Sequence, residues 1–111
     1  MDVSTAVLNL AALAQESRLE IFRLLVQRGA EGLCVTDIGE HMGIAPATLS
    51  FHLKELSRAG LITARKESRH IYYAPDFAMM NSLLAFLTEN CCGGTPCDIA
   101  RAPKSKKRNS K

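Results

Sequence analysis

The chain has 111 residues, of which 47% are hydrophobic, and a formal net charge of +3. This length predicts one small domain with a modest core. There is no run of about 18 apolar residues, which excludes a conventional transmembrane helix. The N-terminal residues also lack the basic start and apolar region of a signal peptide. We therefore expect a cytoplasmic protein with reduced thiols and no membrane partner.

The charge is unevenly distributed. The last eleven residues hold six of the fourteen basic side chains and no acid, so residues 1–100 carry eight basic against eleven acidic side chains. We expect residues 99–111 to form a disordered basic tail. Such a tail is either a solubilising end or a source of sequence-independent attraction to DNA phosphates.

Apolar residues at helical spacing predict helices over residues 4–14, 17–28, 36–42 and 46–58. Ser17 with Glu20 fits a capping box, and Thr36 can cap the third helix. Residues 32–35 are predicted to be a linker. Pro46 suits the first position of the fourth helix. The predicted buried faces are Val7, Leu10, Ala11 and Ala14; Leu19, Phe22, Leu25 and Val26; Ile38 and Met42; and Leu49, Leu53 and Leu56.

Two β-prone segments follow, at residues 61–65 and 70–74. The polar residues between them lack the Asn-Gly or Asp-Gly of a tight turn, so we expect a hairpin with a longer loop. Asp76 can cap a last helix that runs to about Asn90 and is apolar on two faces. One face would meet the core and the other a second subunit.

The predicted fold is mainly α with a β-hairpin wing: a winged helix-turn-helix in the order α-α-α-α-β-β-α, dimerising through the first and last helices. In such a fold the fourth helix enters the major groove of double-stranded DNA. Its predicted DNA-binding residues are Thr48, Ser50, His52 and Lys54, and those of the wing are Arg65, Lys66 and Arg69. Phe51 is either a further outward residue or part of the core.

Residues 45–56 (APATLSFHLKEL) resemble the recognition helix of the ArsR/SmtB family of metal-responsive repressors. Residues 17–25 resemble that family's second helix, and residues 60–62 and 71–73 resemble its wing strands. The resemblance covers residues 5–90. It implies a homodimer that binds an imperfect inverted repeat in operator DNA and is released when its inducer binds.

Three of the four cysteines, Cys91, Cys92 and Cys97, lie within seven residues after the last predicted helix. Thiolates are soft ligands, and a cluster this dense can close around one soft ion. The resemblance favours trivalent arsenic as the inducer, because similar repressors carry a vicinal cysteine pair and a later cysteine there. Antimony and methylated arsenic are related inducers, and Cys97 would be dispensable for the methylated form.

Other positions of the family's sensor sites fit this sequence less well. One arsenic-sensing type has a second cysteine where this chain has Thr36, so we expect Cys34 to be a buried structural thiol. A zinc-sensing type uses a histidine along the last helix, and here only Asp76 and Glu89 remain. A zinc site built from the three cysteines and Asp98 or Cys34 remains an alternative.

The predicted organisation is a DNA-binding and dimerisation domain over residues 1–90, a metalloid-binding segment over 91–98 and the basic tail over 99–111. No nucleophile–base pair or cofactor motif is present, so we predict neither an enzyme nor a permanent cofactor. A redox-responsive repressor and a thiol metal carrier without a DNA role are the alternative functions.

Overall fold

The computed structural model describes residues 1–94 of the chain. Within these residues, five α-helices and three strands are followed by one turn of 3-10 helix. They are α1 (Val3–Leu13), α2 (Glu16–Arg28), β1 (Leu33–Cys34), α3 (Val35–Met42), α4 (Pro46–Arg58), β2 (Ile62–Glu67), β3 (His70–Pro75), α5 (Phe77–Leu87) and the turn Cys91–Gly94.

The winged helix-turn-helix predicted from the sequence is confirmed. Helix α3 ends at Gly43, which has the left-handed conformation that suits glycine. Helix α4 begins at Pro46, whose missing N–H costs no helical hydrogen bond at the first position. The β2–β3 hairpin then forms the wing. Helix α4 therefore lies between the turn that follows α3 and the wing, with one side at the surface.

The linker predicted at residues 32–35 is wrong, because Leu33–Cys34 is a third strand. It pairs antiparallel with β3, Leu33 opposite Tyr73, and gives a sheet in the order β1-β3-β2. Gly32 makes this approach possible: a Cβ there would lie 2.5 Å from the Tyr73 carbonyl oxygen. Two residues are too short a run for a strand pattern to be recognised in sequence.

The prediction of a longer loop in the hairpin is also wrong. Glu67 pairs with His70, so only Ser68 and Arg69 form the connection. Ser68 adopts a positive φ of 55°, which such a tight turn requires and which glycine or asparagine usually supplies. The polar run resembles a loop in sequence because an exposed wing has no apolar alternation to mark its strands.

Helix α1 is shifted by one residue from its predicted bounds, and three further helix ends differ from the prediction. Gln15, not Ser17, caps α2, and its Oε1 accepts a hydrogen bond from the Arg18 N–H at 2.8 Å. Cys34, not Thr36, precedes α3 and provides no side-chain cap. Helix α5 ends at Leu87, and the C-cap Thr88 donates both its backbone N–H and its hydroxyl to the Leu84 carbonyl. The cap at Asp76 is confirmed, with Oδ1 accepting from the Met79 N–H.

The core lies between α2, α3, α4 and the start of the wing. Its fully buried side chains include Ile21, Leu25, Ile38, Leu49, Leu53, Leu56 and Leu61. The faces predicted for α3 and α4 are confirmed at Ile38, Leu49, Leu53 and Leu56. On α2, Ile21 replaces Leu19, which is 43% exposed.

Helix α1 turns a different face inward from the one predicted. Ala6, Asn9 and Ala12 are buried, whereas Val7, Leu8 and Leu10 are exposed. Helix α5 buries Leu83 and leaves Leu84 and Leu87 more than half exposed. The two helices therefore carry apolar side chains outside the core of this subunit.

None of the helices within residues 1–94 has the length and apolar character needed to cross a membrane.

Candidate nucleic-acid interface and cysteine segment

The outer face of α4 is a candidate DNA-reading surface. Leu49, Leu53 and Leu56 anchor the inner face, so the side chains on the other side point to solvent. Thr48, Ser50 and Lys54 are exposed, as the sequence predicted. These groups offer hydroxyl donors and a cation to a groove of DNA or its phosphates.

Phe51 belongs to this outer face and not to the core. Its side chain is 55% exposed, and its ring meets that of His52 edge-on at 5.8 Å between centroids. An exposed aromatic ring there adds an apolar contact group to the surface. In the major groove, such a group can meet a thymine methyl.

The outward orientation predicted for His52 is wrong. Its side chain is only 7% exposed, and its Nδ1 lies 3.4 Å from the Arg18 guanidinium on α2. Burial first, and the charge of Arg18 second, lower the pKa of His52 below its ordinary value. A neutral imidazole can accept a hydrogen bond at Nδ1. His52 therefore holds α4 from inside and is not proposed as a base contact.

A groove of about 530 Å³ separates α4 from the wing. Ser50 and Lys54 line it from the helix and Arg69 from the hairpin, so three of the predicted DNA-binding residues face one space. Ser50, Ser57 and His70 add polar groups to its walls. This arrangement of cations and hydroxyls suits a phosphodiester backbone that passes between helix and wing.

Within the wing, the three predicted cations have different surroundings. Arg65 is engaged: its Nε lies 2.7 Å from Glu67 Oε2, its Nη2 donates to the Glu31 carbonyl, and its guanidinium lies 5.1 Å from the Tyr72 ring centroid. Lys66 and Arg69 are exposed near the tip. Arg65 thus ties the middle of the hairpin to the chain at Glu31, whereas Lys66 is exposed and Arg69 lines the groove beside α4.

The cysteine segment begins just after α5. Cys91 Sγ and Cys92 Sγ lie 3.1 Å apart, with Cys92 exposed. Asn90, Cys92 and Gly93 have positive φ values near 60°, which turn the chain sharply. Side chains of adjacent residues usually point in different directions. This turn brings the two adjacent sulfurs close together.

The remaining ligand predictions have mixed outcomes. Cys97, the basic tail and Asp98 lie outside the described residues, so their predictions stay as predictions. Within residues 1–94, no three side chains of His, Cys, Asp or Glu are grouped closely enough to hold a metal ion. Cys34 is buried, as expected of a structural thiol.

Two residues that the sequence did not single out occupy central positions. Arg18 donates from Nε to the Ala12 carbonyl at 2.7 Å, and Asn9 donates from Nδ2 to the Ala59 carbonyl at 2.8 Å. Asn9 is fully buried. The one available signal was an asparagine within an otherwise apolar helix, which indicates a polar contact without naming its partner.

Known proteins are similar to this chain in sequence and in fold. A family model described as a helix-turn-helix domain matches residues 13–65. The arsenical resistance operon repressor of Bacillus subtilis (strain 168) is 41% identical over 81 residues, which cover 73% of each chain.

Two solved structures extend the similarity to the whole fold. HlyU from Vibrio cholerae N16961 superposes with a TM-score of 0.65 at 29% identity, covering 83% of this chain and 99% of that one. The solution structure of the homodimeric winged helix-turn-helix domain of Mb0332 from Mycobacterium bovis has a TM-score of 0.63 at 28% identity, covering 86% and 88%.

Proposed function

Because the chain belongs to the ArsR/SmtB family of winged-helix transcriptional repressors, we propose that it is an arsenic-responsive repressor. In this proposal it binds operator DNA as a homodimer and leaves the DNA when trivalent arsenic binds its cysteine thiolates. The observation that supports arsenic as the inducer is the pair of thiols at Cys91 and Cys92, which follow α5. A repressor acts at its promoter, so the proposal also places the protein in the cytoplasm.

DNA binding would use the outer face of α4 and the wing. Thr48, Ser50 and Phe51 would meet base edges in the major groove. Lys54 and Arg69 would hold the phosphate backbone in the groove between helix and wing. Lys66 and Arg65 would add phosphate contacts from the hairpin, with Arg65 the weaker of the two because Glu67 already neutralises it.

Dimerisation would cover the apolar side chains that α1 and α5 leave outside the core. Val7, Leu8 and Leu10 on α1, and Leu84 and Leu87 on α5, are each more than 40% exposed. Fully burying such a side chain stabilises by about 1.5–3 kcal/mol, so covering the half that is exposed here contributes about 1 kcal/mol each. The homodimeric Mb0332 domain supports this assembly by similarity.

Trivalent arsenic suits the thiols because it forms stable bonds with several sulfurs at once. Arsenous acid would react with Cys91, Cys92 and Cys97, forming three As–S bonds and releasing three waters, with no change of oxidation state. A methylated arsenic would need only two thiols, and the neighbouring sulfurs of Cys91 and Cys92 could provide them. Antimony would follow the same chemistry.

Release would follow from the position of the thiols. Drawing them around one arsenic atom pulls on the end of α5, which also carries the proposed dimer contact. A small shift there changes the distance between the two recognition helices, and DNA affinity falls because two half-sites must be met together. A coupling of about 1–3 kcal/mol gives a useful switch and is reciprocal, so DNA weakens arsenic binding equally.

Fluorescence anisotropy on DNA from the protein's own promoter, titrated with arsenite under reducing conditions, tests this proposal. We expect saturable binding and release near one arsenite per subunit, with no release by zinc. Cys91→Ser and Cys92→Ser should bind DNA normally and ignore arsenite, whereas Cys34→Ser should still respond.

Other outcomes would favour the alternatives. Tight DNA binding that yields to peroxide but not arsenite would indicate a disulfide-based redox repressor, which the proximity of Cys91 and Cys92 also permits. Release by zinc alone would indicate a zinc sensor. Absence of specific DNA binding at physiological salt would refute the repressor function altogether.

A further inference from the structure

Helices α1 and α4 are joined by directional polar contacts at two places. At the first, Arg18 bridges them from α2: its Nε donates to the Ala12 carbonyl of α1 at 2.7 Å, and its Nη1 lies 3.4 Å from His52 Nδ1 of α4. At the second, Asn9 of α1 donates from Nδ2 to the Ala59 carbonyl at 2.8 Å. The surrounding contacts are apolar.

The two contact points are well separated along α4. His52 lies in the middle of the helix and Ala59 caps its C-terminal end, seven residues or about 10 Å away. The Ala59 carbonyl belongs to the last turn, where the helix itself provides no donor. Two attachments this far apart fix both the rotation of α4 about its axis and its tilt against α1.

These contacts cost more to form than apolar packing would. Asn9 is fully buried, and the Oδ1 of its amide has no hydrogen-bond partner within residues 1–94. Arg18 is partly buried against two uncharged acceptors, and the lowered pKa of His52 keeps the imidazole neutral for that contact. Hydrogen bonds between buried polar groups fix the orientation of the helices that they join. Apolar packing alone allows those helices to slide and rotate slightly against each other.

We propose that Arg18 and Asn9 are positioning residues, which fix the recognition helix α4 to the dimerising helix α1 and thereby set the half-site spacing that the dimer accepts. The inference rests on the proposed function, in which α1 contributes to the dimer contact. The angle between α1 and α4 in each subunit then determines where the two recognition helices stand relative to each other.

The test uses the full chain and its operator, with one base pair inserted or removed between the half-sites. We expect wild type to discriminate against both altered operators by about tenfold or more. Arg18→Met, Asn9→Leu and His52→Leu should reduce this discrimination to about twofold. Arg23→Met, at an exposed position on α2, is the matched control and should keep it.

A conservative rescue separates positioning from simple loss of stability. His52→Asn keeps an acceptor near the place of Nδ1, so it should retain the spacing preference that His52→Leu loses. Thermal melting by circular dichroism reports the folded fraction of each variant. If Arg18→Met does not fold, the His52→Asn and His52→Leu pair still decides the question.

The failures of the two proposals are distinguishable. If folded Arg18→Met, Asn9→Leu and His52→Leu all keep the wild-type spacing preference, the positioning role is refuted and the repressor remains. If wild type binds no promoter DNA, the proposed function fails. If wild type binds but ignores spacing, the dimeric reading of two half-sites fails, and the positioning role fails with it.

Discussion

The DNA-reading unit and the cysteine segment are held in opposite ways. Helix α4 rests on three buried leucines and has two polar attachments, one directly to α1 through Asn9 and one to Arg18 of α2, which also contacts α1. Cys91 and Cys92 lie beyond α5, in a sharply kinked turn over Cys91–Gly94 that has no buried residue. The proposed switch would use this difference: the DNA-reading helix must keep one geometry, whereas the proposed sensor segment must change when arsenic binds.

The largest effect is expected beneath α4. Leu56 is fully buried in the core, so Leu56→Ala should lower the free energy of unfolding by about 2–5 kcal/mol. Cys92→Ser, at an exposed position, should change it by about 0.5 kcal/mol or less. Urea unfolding followed by circular dichroism measures both. Comparable losses in the two variants would show that the cysteine segment is also part of the folding core.

The second effect concerns the switch. The double variant Cys91→Ser, Cys92→Ser should lose the whole arsenite-dependent change in DNA affinity, about 5- to 150-fold, and keep its affinity without arsenite. Parallel anisotropy titrations with and without arsenite measure the difference. Cys34→Ala is the control, because that thiol is buried beside β3 and should not contribute to release. A double variant that still responds would remove Cys91 and Cys92 from the sensor.

A smaller effect is expected from pH. The pKa of His52 is lower in the folded chain than its ordinary value of 6.5, so the unfolded chain binds more protons as the pH falls through that range. The stability that neutral His52 contributes is therefore complete above about pH 6.5 and is lost toward its lower folded pKa. Melting temperatures at pH 7.5 and pH 5.5 should differ more for wild type than for His52→Asn. Equal differences would mean that His52 accepts the proton without cost.

Most of the fold was predictable because periodic burial determines it. Leu49, Leu53 and Leu56 repeat at helical spacing, and Pro46 marks where their helix begins, so α4 was predicted with its observed bounds. His52 was predicted on the wrong side, because its partner Arg18 is 34 residues away and no local pattern reports that contact. Strand β1 was missed for a similar reason, since Tyr73 on β3 defines it.

The candidate site was predictable only where exposure follows from the helix itself. Thr48, Ser50 and Lys54 are outward because the leucines are inward. Residue types alone did not decide between core and surface for Phe51, because an aromatic ring is common in both places. The approach of Cys91 to Cys92 depends on a left-handed backbone conformation at Cys92, which a cysteine rarely adopts and which its residue type does not predict.

The smallest expected effect concerns Phe51 and tests which DNA bases helix α4 contacts. With its ring 55% exposed on the outer face of α4, Phe51 can contact a thymine methyl in each half-site. Replacing that thymine with uracil removes only the methyl group, which should weaken wild-type binding about fourfold, or about 0.8 kcal/mol. Phe51→Ala should bind the thymine and uracil operators equally. A thymine-by-thymine scan that leaves wild-type affinity unchanged everywhere would show that Phe51 does not read the base, and would assign sequence reading on this face to its hydroxyl and amino groups.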